Sequence, residues 1–598
     1  MKKIYVFLVM TMLGGLAFSQ PPSKDYKLVY EDNFDGNSLD TLAWRYRVDV
    51  RKGFGYMDGL NRAENVRVKD GMLVVDCYQE EINGKVENTG GGVISRKNFG
   101  YGYYECRSKP FMEGRGVHTS FWQRGSCTPN NDVSEIDSYE IDSETEVATN
   151  NLYIQLGDKE RKYVPWPHRA QIPFQVDKEG WFLDAYEYTP EGIIFYDNGK
   201  EVARAEWKEL NASQAVWLTA LNGVGPVDAD KQPCASYFDY FRFYTKDYPG
   251  VTLLSNGNFE FNQDKVNPSK PIAWTPVGTA SAVELVKGNA YRDAYKLKLG
   301  GIAAPFHVTL RQCLSYIMDG EYELSAMVRS NGGLHKAYLV AASKINLSDE
   351  AVKLEIPATD EWKKISMPVT VRNNEVYIAV VAEGEAGKWI EIDDINFMKP
   401  LKTGDKPVER KPFQLYGDAV WELGKEHPVY FPGDKRFYFF DRSAGLGDTI
   451  SVCFTLEADE KANMTPIARI PRNGNSGWAV QLTKNGGLIF RIGSQESHTD
   501  VYARNVYKAG KKVRVACCFE KGTASIYVNG KLVKKQTGIT HDTWDKTAAG
   551  RLGTVGKDYE AVGEVVMEVS RKDKETDEMK NFRGTLSKVA VYNKKHCR

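Results

Sequence analysis

The sequence predicts an all-β chain divided into several domains, and three observations carry that prediction. Aromatic residues are abundant (Tyr 33, Phe 26, Trp 12) and so are turn formers (Gly 53, Pro 24), a balance that favours short strands joined by tight turns. Runs such as "KLVYEDNF", "MLVVDCYQE", "GYYECRSKPF" and "WFLDAYEYTP" alternate apolar and polar residues with a period of two. Asn198-Gly199 and Asn529-Gly530 each sit between two extended runs, in "IIFYDNGKEVAR" and "ASIYVNGKLVKK", the strongest short hairpin signal. At 598 residues the chain is too long for one core, and units of roughly 100–200 residues give three or four domains.

The elements follow in order. Lys2 and Lys3 precede the apolar run "IYVFLVMTMLGGLAF", too short to span a bilayer and followed at once by polar sequence. Ala17 and Ser19 supply small residues for a signal peptidase, so residues 1–19 are expected to be a signal peptide cleaved near Ser19-Gln20. The mature protein is then expected to be secreted and soluble, since no later segment is apolar enough to cross a membrane. Residues 20–247 form one large β unit ending at the punctuation Tyr248-Pro249-Gly250. Residues 251–400 form a second, from "LLSNGNFEFN" to "KWIEIDDINFMKP". The charged, Pro-marked stretch 401–412 reads as a linker and 413–598 as a third unit.

The formal net charge is zero, which gives no global field to attract nucleic acid or an anionic membrane. Nine cysteines make an odd count, so at least one is unpaired or bonded between chains, and no systematic disulfide framework is expected. Cys517 and Cys518 are adjacent in a strand-like run and should face opposite sides. Metal-type cysteine spacing, Walker-type loops and dinucleotide glycine motifs are absent from the sequence.

The chemistry concentrates in "DVSEIDSYEID", residues 132–142, which holds five carboxylates. Glu135 and Asp137 share a face of a strand, whereas Glu140 in a regular strand points the other way. A β-bulge at Ser138-Tyr139 would absorb the extra residue and return Glu140 to the face of Glu135 and Asp137. Retaining cleavage of a glycosidic bond needs two carboxyl groups about 5–5.5 Å apart, one nucleophile and one acid/base. Three clustered carboxylates cannot all stay ionised, so at least one proton affinity is raised. Glu140 as the neutral acid, Glu135 as the ionised nucleophile and Asp137 as the proton-holding residue between them satisfy that chemistry. Asp132, Asp142 and Glu144 fall outside this register and read as solvated. Trp122, His118, Tyr153, Trp166 and His168 flank the stretch and suit a sugar cleft, with Arg62, Arg96 and Arg124 as candidate partners for hydroxyl or sulfate groups.

"EIDSYE" resembles the Glu-hydrophobic-Asp-x-x-Glu signature of family 16 glycoside hydrolases in its bulged form. "YEDNFDGNSLDTLAW", "NRAENVRVKDGMLVVDC", "GGVISRKNFGYGYYECRSKPFMEGRGVHTSFW", "WFLDAYEYTPEGIIFYDNGKEV" and "FDYFRFY" resemble the family's landmarks in order, over about residues 25–245. The resemblance implies a β-jelly-roll sandwich and endo-acting, retaining hydrolysis of a β-linked polysaccharide. It also implies Glu135 as nucleophile, Asp137 as assisting acid, Glu140 as acid/base and no cofactor for the chemistry. Many members hold a structural Ca²⁺ on the convex side, and Asp32, the Gly71 carbonyl and Asp239 occupy the matching positions. His118-Thr119 stands where β-1,3-glucanase members usually read Trp-Pro, and the "YGYYE…SFW" wording leans toward members acting on algal galactans (agar, porphyran, carrageenan). Substrate thus stays open between such a galactan and a β-1,3-glucan.

Residues 251–400 resemble a jelly-roll carbohydrate-binding module, and 413–598 a concanavalin A-like, laminin-G-like domain, so that two further β-sandwiches are expected. The expected partner is the polysaccharide, not nucleic acid, and the protein is expected to act as a monomer. The rival reading, a non-catalytic glycan-binding protein on the same scaffold, would be marked by loss of one acid, and all three are present.

Overall fold

The computed structural model describes residues 21–54, 57–125, 134–143, 147–156, 160–162, 169–206, 213–260, 271–347, 351–402, 421–423, 428–433, 437–440, 448–469, 477–493, 498–540, 550–552 and 580–596. It is built from β-strands, as the period-two runs require. The first unit stacks two curved antiparallel sheets. One sheet orders the strands Trp44–Tyr46, Lys85–Ser95, Ala215–Asn222, Val117–Arg124, Ser134–Asp142, Val147–Leu156 and Arg169–Pro173. The other runs from Met72–Ile82 through Cys234–Thr245, Gly102–Lys109, Phe182–Tyr188 and Gly192–Asp197 to Lys200–Glu206, with Lys27–Asp32 also on Cys234–Thr245. Between the sheets lie Phe121, Ile136, Tyr139, Ile141, Tyr186, Phe241 and Phe243, a core of aromatic rings on alternating strand positions.

The second unit is a sandwich of two five-stranded sheets. One holds Thr275–Gly278, Phe306–Ser315, Glu375–Gly384, Lys336–Ala342 and Val352–Glu355. Its partner holds Val283–Lys287, Tyr295–Gly300, Trp389–Met398, Gly320–Ser330 and Thr359–Val371. It docks on the first unit through a specific seam. Tyr316, held at φ 59°, stacks on Phe99 at 4.5 Å and 16° and packs against Tyr30 at 5.0 Å. Lys97–Glu375 and Lys399–Asp247, both at 2.5 Å, close the seam on either side.

In the third unit one sheet carries Arg583–Tyr592, Thr449–Ala458, Val513–Glu520, Thr523–Val528 and Lys531–Gln536. Its other sheet, with Met464–Arg469, Trp478–Leu482, Leu488–Gly493 and His498–Ala503, continues through Gly550–Leu552 and Phe437–Phe440 onto Arg169–Pro173 of the first unit. Cys517 and Cys518 do face opposite sides, since each packs in a different apolar cluster. Cys518 is disulfide-bonded, while Cys77, Cys106, Cys234, Cys313, Cys453 and Cys517 are free thiols. No helix among the described residues is long and apolar enough to cross a membrane, and residues 1–19 lie outside them.

Candidate active site

The acidic strand Ser134–Asp142 carries the bulge that the carboxylate spacing demands. Against Val117–Arg124 its register runs Glu135↔Arg124, Ile136↔Gln123 and Asp137↔Trp122, then jumps to Tyr139↔Phe121 and Glu140↔Ser120. Against Val147–Leu156 the same jump falls between Asp137↔Asn151 and Glu140↔Thr149. One residue is therefore extra, and Glu135, Asp137 and Glu140 share a face while Ile136, Tyr139 and Ile141 enter the core. The extra residue is itself anchored inside. Ser138 is fully buried and its hydroxyl donates to Asp184 of the opposite sheet, while Asn150 donates to the Ser138 carbonyl. Burial, then the neighbouring Asp197, pushes the Asp184 carboxyl well above the usual range. A buried carboxyl thus pins the kink from below.

Across the open face the charges are tightly arranged. Arg124 Nη1 lies 3.1 Å from Glu135 Oε2. Asp137 is 1% exposed, and burial followed by the charges of Glu135 and Glu140 drives its carboxyl well above the ordinary range, against a hydrogen bond from Asn151. The like-charge argument therefore falls on Asp137, the most deeply set of the three. His118 Nε2 is 3.3 Å from Glu140 Oε1, and His118 Nδ1 is 2.7 Å from Asp142 Oδ1. Burial alone would lower the imidazolium, but the bonds to Asp142 and Glu140 outweigh it and raise the group to about 9.

Trp122 stands beside Asp137 in register and packs on Trp217 at 4.5 Å. Arg47 lies over both rings, at 5.6 and 5.3 Å, and Arg45 over Trp217 at 5.9 Å. The indole N–H groups donate to Thr219 Oγ1 at 3.2 Å and to the Arg124 carbonyl at 3.0 Å, which fixes the paired rings as a platform.

Not every candidate joins this group. Arg62 is engaged by Glu80 at 3.0 Å and Glu64 at 3.4 Å rather than by the acidic strand. Arg96 donates to the carbonyls of Thr41 and Trp44. The Tyr153 backbone pairs with Glu135, but its side chain, and Trp166 and His168 entirely, lie outside the described residues. Asp142 is not merely solvated, because the bulge that turns Glu140 inward carries Asp142, two residues on, to the same face and onto His118. The expected calcium site does not fit. Both Asp32 oxygens accept from the protein, from the Phe34 N–H and the Trp44 indole at 2.8 Å each, and Asp239 is neutralised by Arg107 at 2.7 Å. Gly71 sits in a left-handed turn at φ 71°. Among the described residues no three metal-ligating side chains converge.

With that geometry in place, known proteins offer matches to the first and third units. Residues 56–218 match Glycosyl hydrolases family 16. The first sandwich carries a family 16 domain. Residues 441–596 match the Concanavalin A-like lectin/glucanases superfamily. A β-glucanase of Acetivibrio thermocellus is 24% identical over 203 residues, 31% of this chain and 55% of that protein. β-Porphyranase B of Zobellia galactanivorans is 32% identical over 111 residues, 17% of this chain and 36% of that protein. The chain thus spans about half or less of the curated relatives it matches. Among solved structures, the laminarinase catalytic domain of Thermotoga maritima aligns with 20% identity and a TM-score of 0.31, covering 38% of this chain and 100% of that one. Trp217, Arg45 and Arg47 carry no local signal of their role, because strand pairing brings them to the face of the acidic strand, and Asp184 carries none because it meets Ser138 only across the two sheets.

Proposed function

We propose that the protein is a secreted, endo-acting, retaining glycosidase of β-linked polysaccharide. The observation that carries this reading is the bulge that sets Glu135, Asp137 and Glu140 on one face of their sheet. Glu135 is the nucleophile: held by Arg124, it attacks the anomeric carbon and forms a glycosyl ester while the leaving oxygen takes the proton of Glu140. Glu140 then removes a proton from water, which displaces Glu135 and restores the β-configuration. Asp137, buried and kept protonated, donates a hydrogen bond that orients the nucleophile without adding a third negative charge. No cofactor takes part in these steps.

Trp122 and Trp217 offer a stacking surface to the sugar next to the nucleophile. Arg45 is exposed, lies over that surface and has no carboxylate partner among the described residues, which favours a glycan with anionic substituents, as in the sulfated algal galactans, over a neutral β-1,3-glucan. The two downstream sandwiches are proposed to hold the same polymer, raising the effective concentration of the cleft at its surface. Export follows cleavage near Ser19-Gln20. The reading is tested by incubating the protein with porphyran, agarose, carrageenan, laminarin and mixed-linkage glucan and following the first product by proton NMR. A β-anomer released from internal bonds is expected; an α-anomer excludes double displacement at Glu135.

A further inference from the structure

Within that glycosidase reading, on which this inference rests, one residue of the cleft face is still without a task. His118 is only 6% exposed, yet both of its ring nitrogens meet carboxylates of the acidic strand. It lies opposite Asp142 in register, 2.7 Å from its Oδ1, and its far nitrogen reaches Oε1 of Glu140 at 3.3 Å. On its other flank the register partner is Leu221, which carries no charge.

A neutral imidazole has one donor and one acceptor nitrogen. As an imidazolium the ring donates from Nδ1 to the Asp142 carboxylate and from Nε2 to Oε1 of Glu140, an oxygen that accepts both while Glu140 holds its proton on the other oxygen and after that proton has left. The raised proton affinity of the ring agrees with that. We propose that His118 is a positioning residue for the acid/base: braced by Asp142, it fixes one oxygen of Glu140 so that the other meets the glycosidic oxygen in both halves of the reaction. Glu140 must give up a proton in the first step and take one in the second, and the same oxygen has to stay in place throughout. With a side chain 27% exposed at the cleft wall, Glu140 would otherwise sample several rotamers. The fixed cation also stabilises the carboxylate formed as the proton departs, where charge develops. It takes no proton itself and touches no substrate.

The test compares two leaving groups in the full-length protein. The polysaccharide needs a proton on its leaving oxygen; the 2,4-dinitrophenyl β-glycoside of the oligosaccharide that the wild type releases does not, because dinitrophenolate departs unaided. His118→Gln is expected to lower kcat on the polysaccharide about 10–100-fold, less than the roughly 10²–10⁴-fold that general acid catalysis as a whole supplies because the acid itself remains, with KM nearly unchanged. The same variant should keep the first-turnover burst of the dinitrophenyl substrate within about threefold of wild type. Asp142→Asn, which loosens the brace and leaves the ring in place, should show the same split with a smaller loss, and carries the test if His118→Gln does not fold. Equal losses on both substrates, or no loss on the polysaccharide, overturn the assignment to His118. A wild type that cleaves no glycan overturns the glycosidase reading, and this inference with it.

Discussion

The first and third sandwiches share a continuous sheet, joined where Arg169–Gln171 pairs with Phe437–Phe439, and comparing their faces separates scaffold from chemistry. Each contains a strand with a register jump: between Asp137 and Glu140 in the family 16 domain, and between Met464 and Ile467 in the concanavalin A-like domain. Beside the first jump three carboxyl groups converge. On one face of the concanavalin A-like domain's sheet, Ala468, Ala479, Arg491 and Asp500 stand in cross-strand register, and among the described residues there the Arg491 cation is balanced by Asp500 at 2.7 Å, with His498 3.7 Å from the same carboxylate. A bulge re-aims side chains, but it makes a reactive site only where the re-aimed residues are acids held near one another at a cost in charge repulsion. Beside Arg491 and Asp500 the charges attract rather than repel.

The sharpest way to break that contrast is to remove the attacking group alone. Glu135→Gln keeps the side chain's shape and its place beside Arg124, yet cannot form the glycosyl ester. Turnover should fall by about 10⁴-fold or more with thermal unfolding within about 2 °C of wild type. Kinetics on the best polysaccharide of the substrate screen check this; activity within tenfold of wild type would remove Glu135 from its role.

A smaller effect concerns the stored repulsion. The Asp137 carboxyl is raised in the fold by burial and by Glu135 and Glu140, so the folded state holds that proton more tightly than the unfolded chain. The associated stability is fully present below the unfolded value, about pH 4, and is lost as pH rises through the folded value. Asp137→Asn has no proton to lose. Its melting temperature relative to wild type should therefore climb between pH 4 and pH 8, by about 2 °C or more, while its turnover falls. Scanning calorimetry across that interval decides it; a constant difference between the two proteins would mean that Asp137 carries no raised proton affinity.

How much of this was legible in the sequence depends on how local each cause is. The bulge could be read because Glu135, Asp137 and Glu140 break the period of two within six residues, and the all-β class because alternation is a local pattern. The pin beneath the bulge could not, since Asp184 lies on the opposite sheet and nothing near it in sequence names Ser138 as its partner. Trp217 and Arg47 escaped for the same reason: their places on the cleft face follow from which strands pair. Asp142 was misplaced by counting the kink for Glu140 and then not carrying it two residues further. The calcium expectation failed on Asp32 and Asp239 because a carboxylate reads alike whether it awaits a cation or already serves an indole N–H and a guanidinium.

The smallest effect on turnover belongs to the settled face. Arg491 is 3% exposed in its side chain, and its guanidinium makes two bonds to Asp500, at 2.7 and 2.8 Å. Asp500→Asn keeps one acceptor and removes the charge that balances a buried cation, which costs about 1–2 kcal/mol because Arg491 cannot shed its proton. Unfolding of the C-terminal domain in urea should shift to lower concentration by a corresponding amount. Turnover on a soluble oligosaccharide should not change, since no acid of the family 16 cleft contacts this pair. A loss of kcat in Asp500→Asn would mean that the shared sheet transmits distortion from one face to the other, and that the two domains act as one catalytic body rather than as a reactive face beside an inert one.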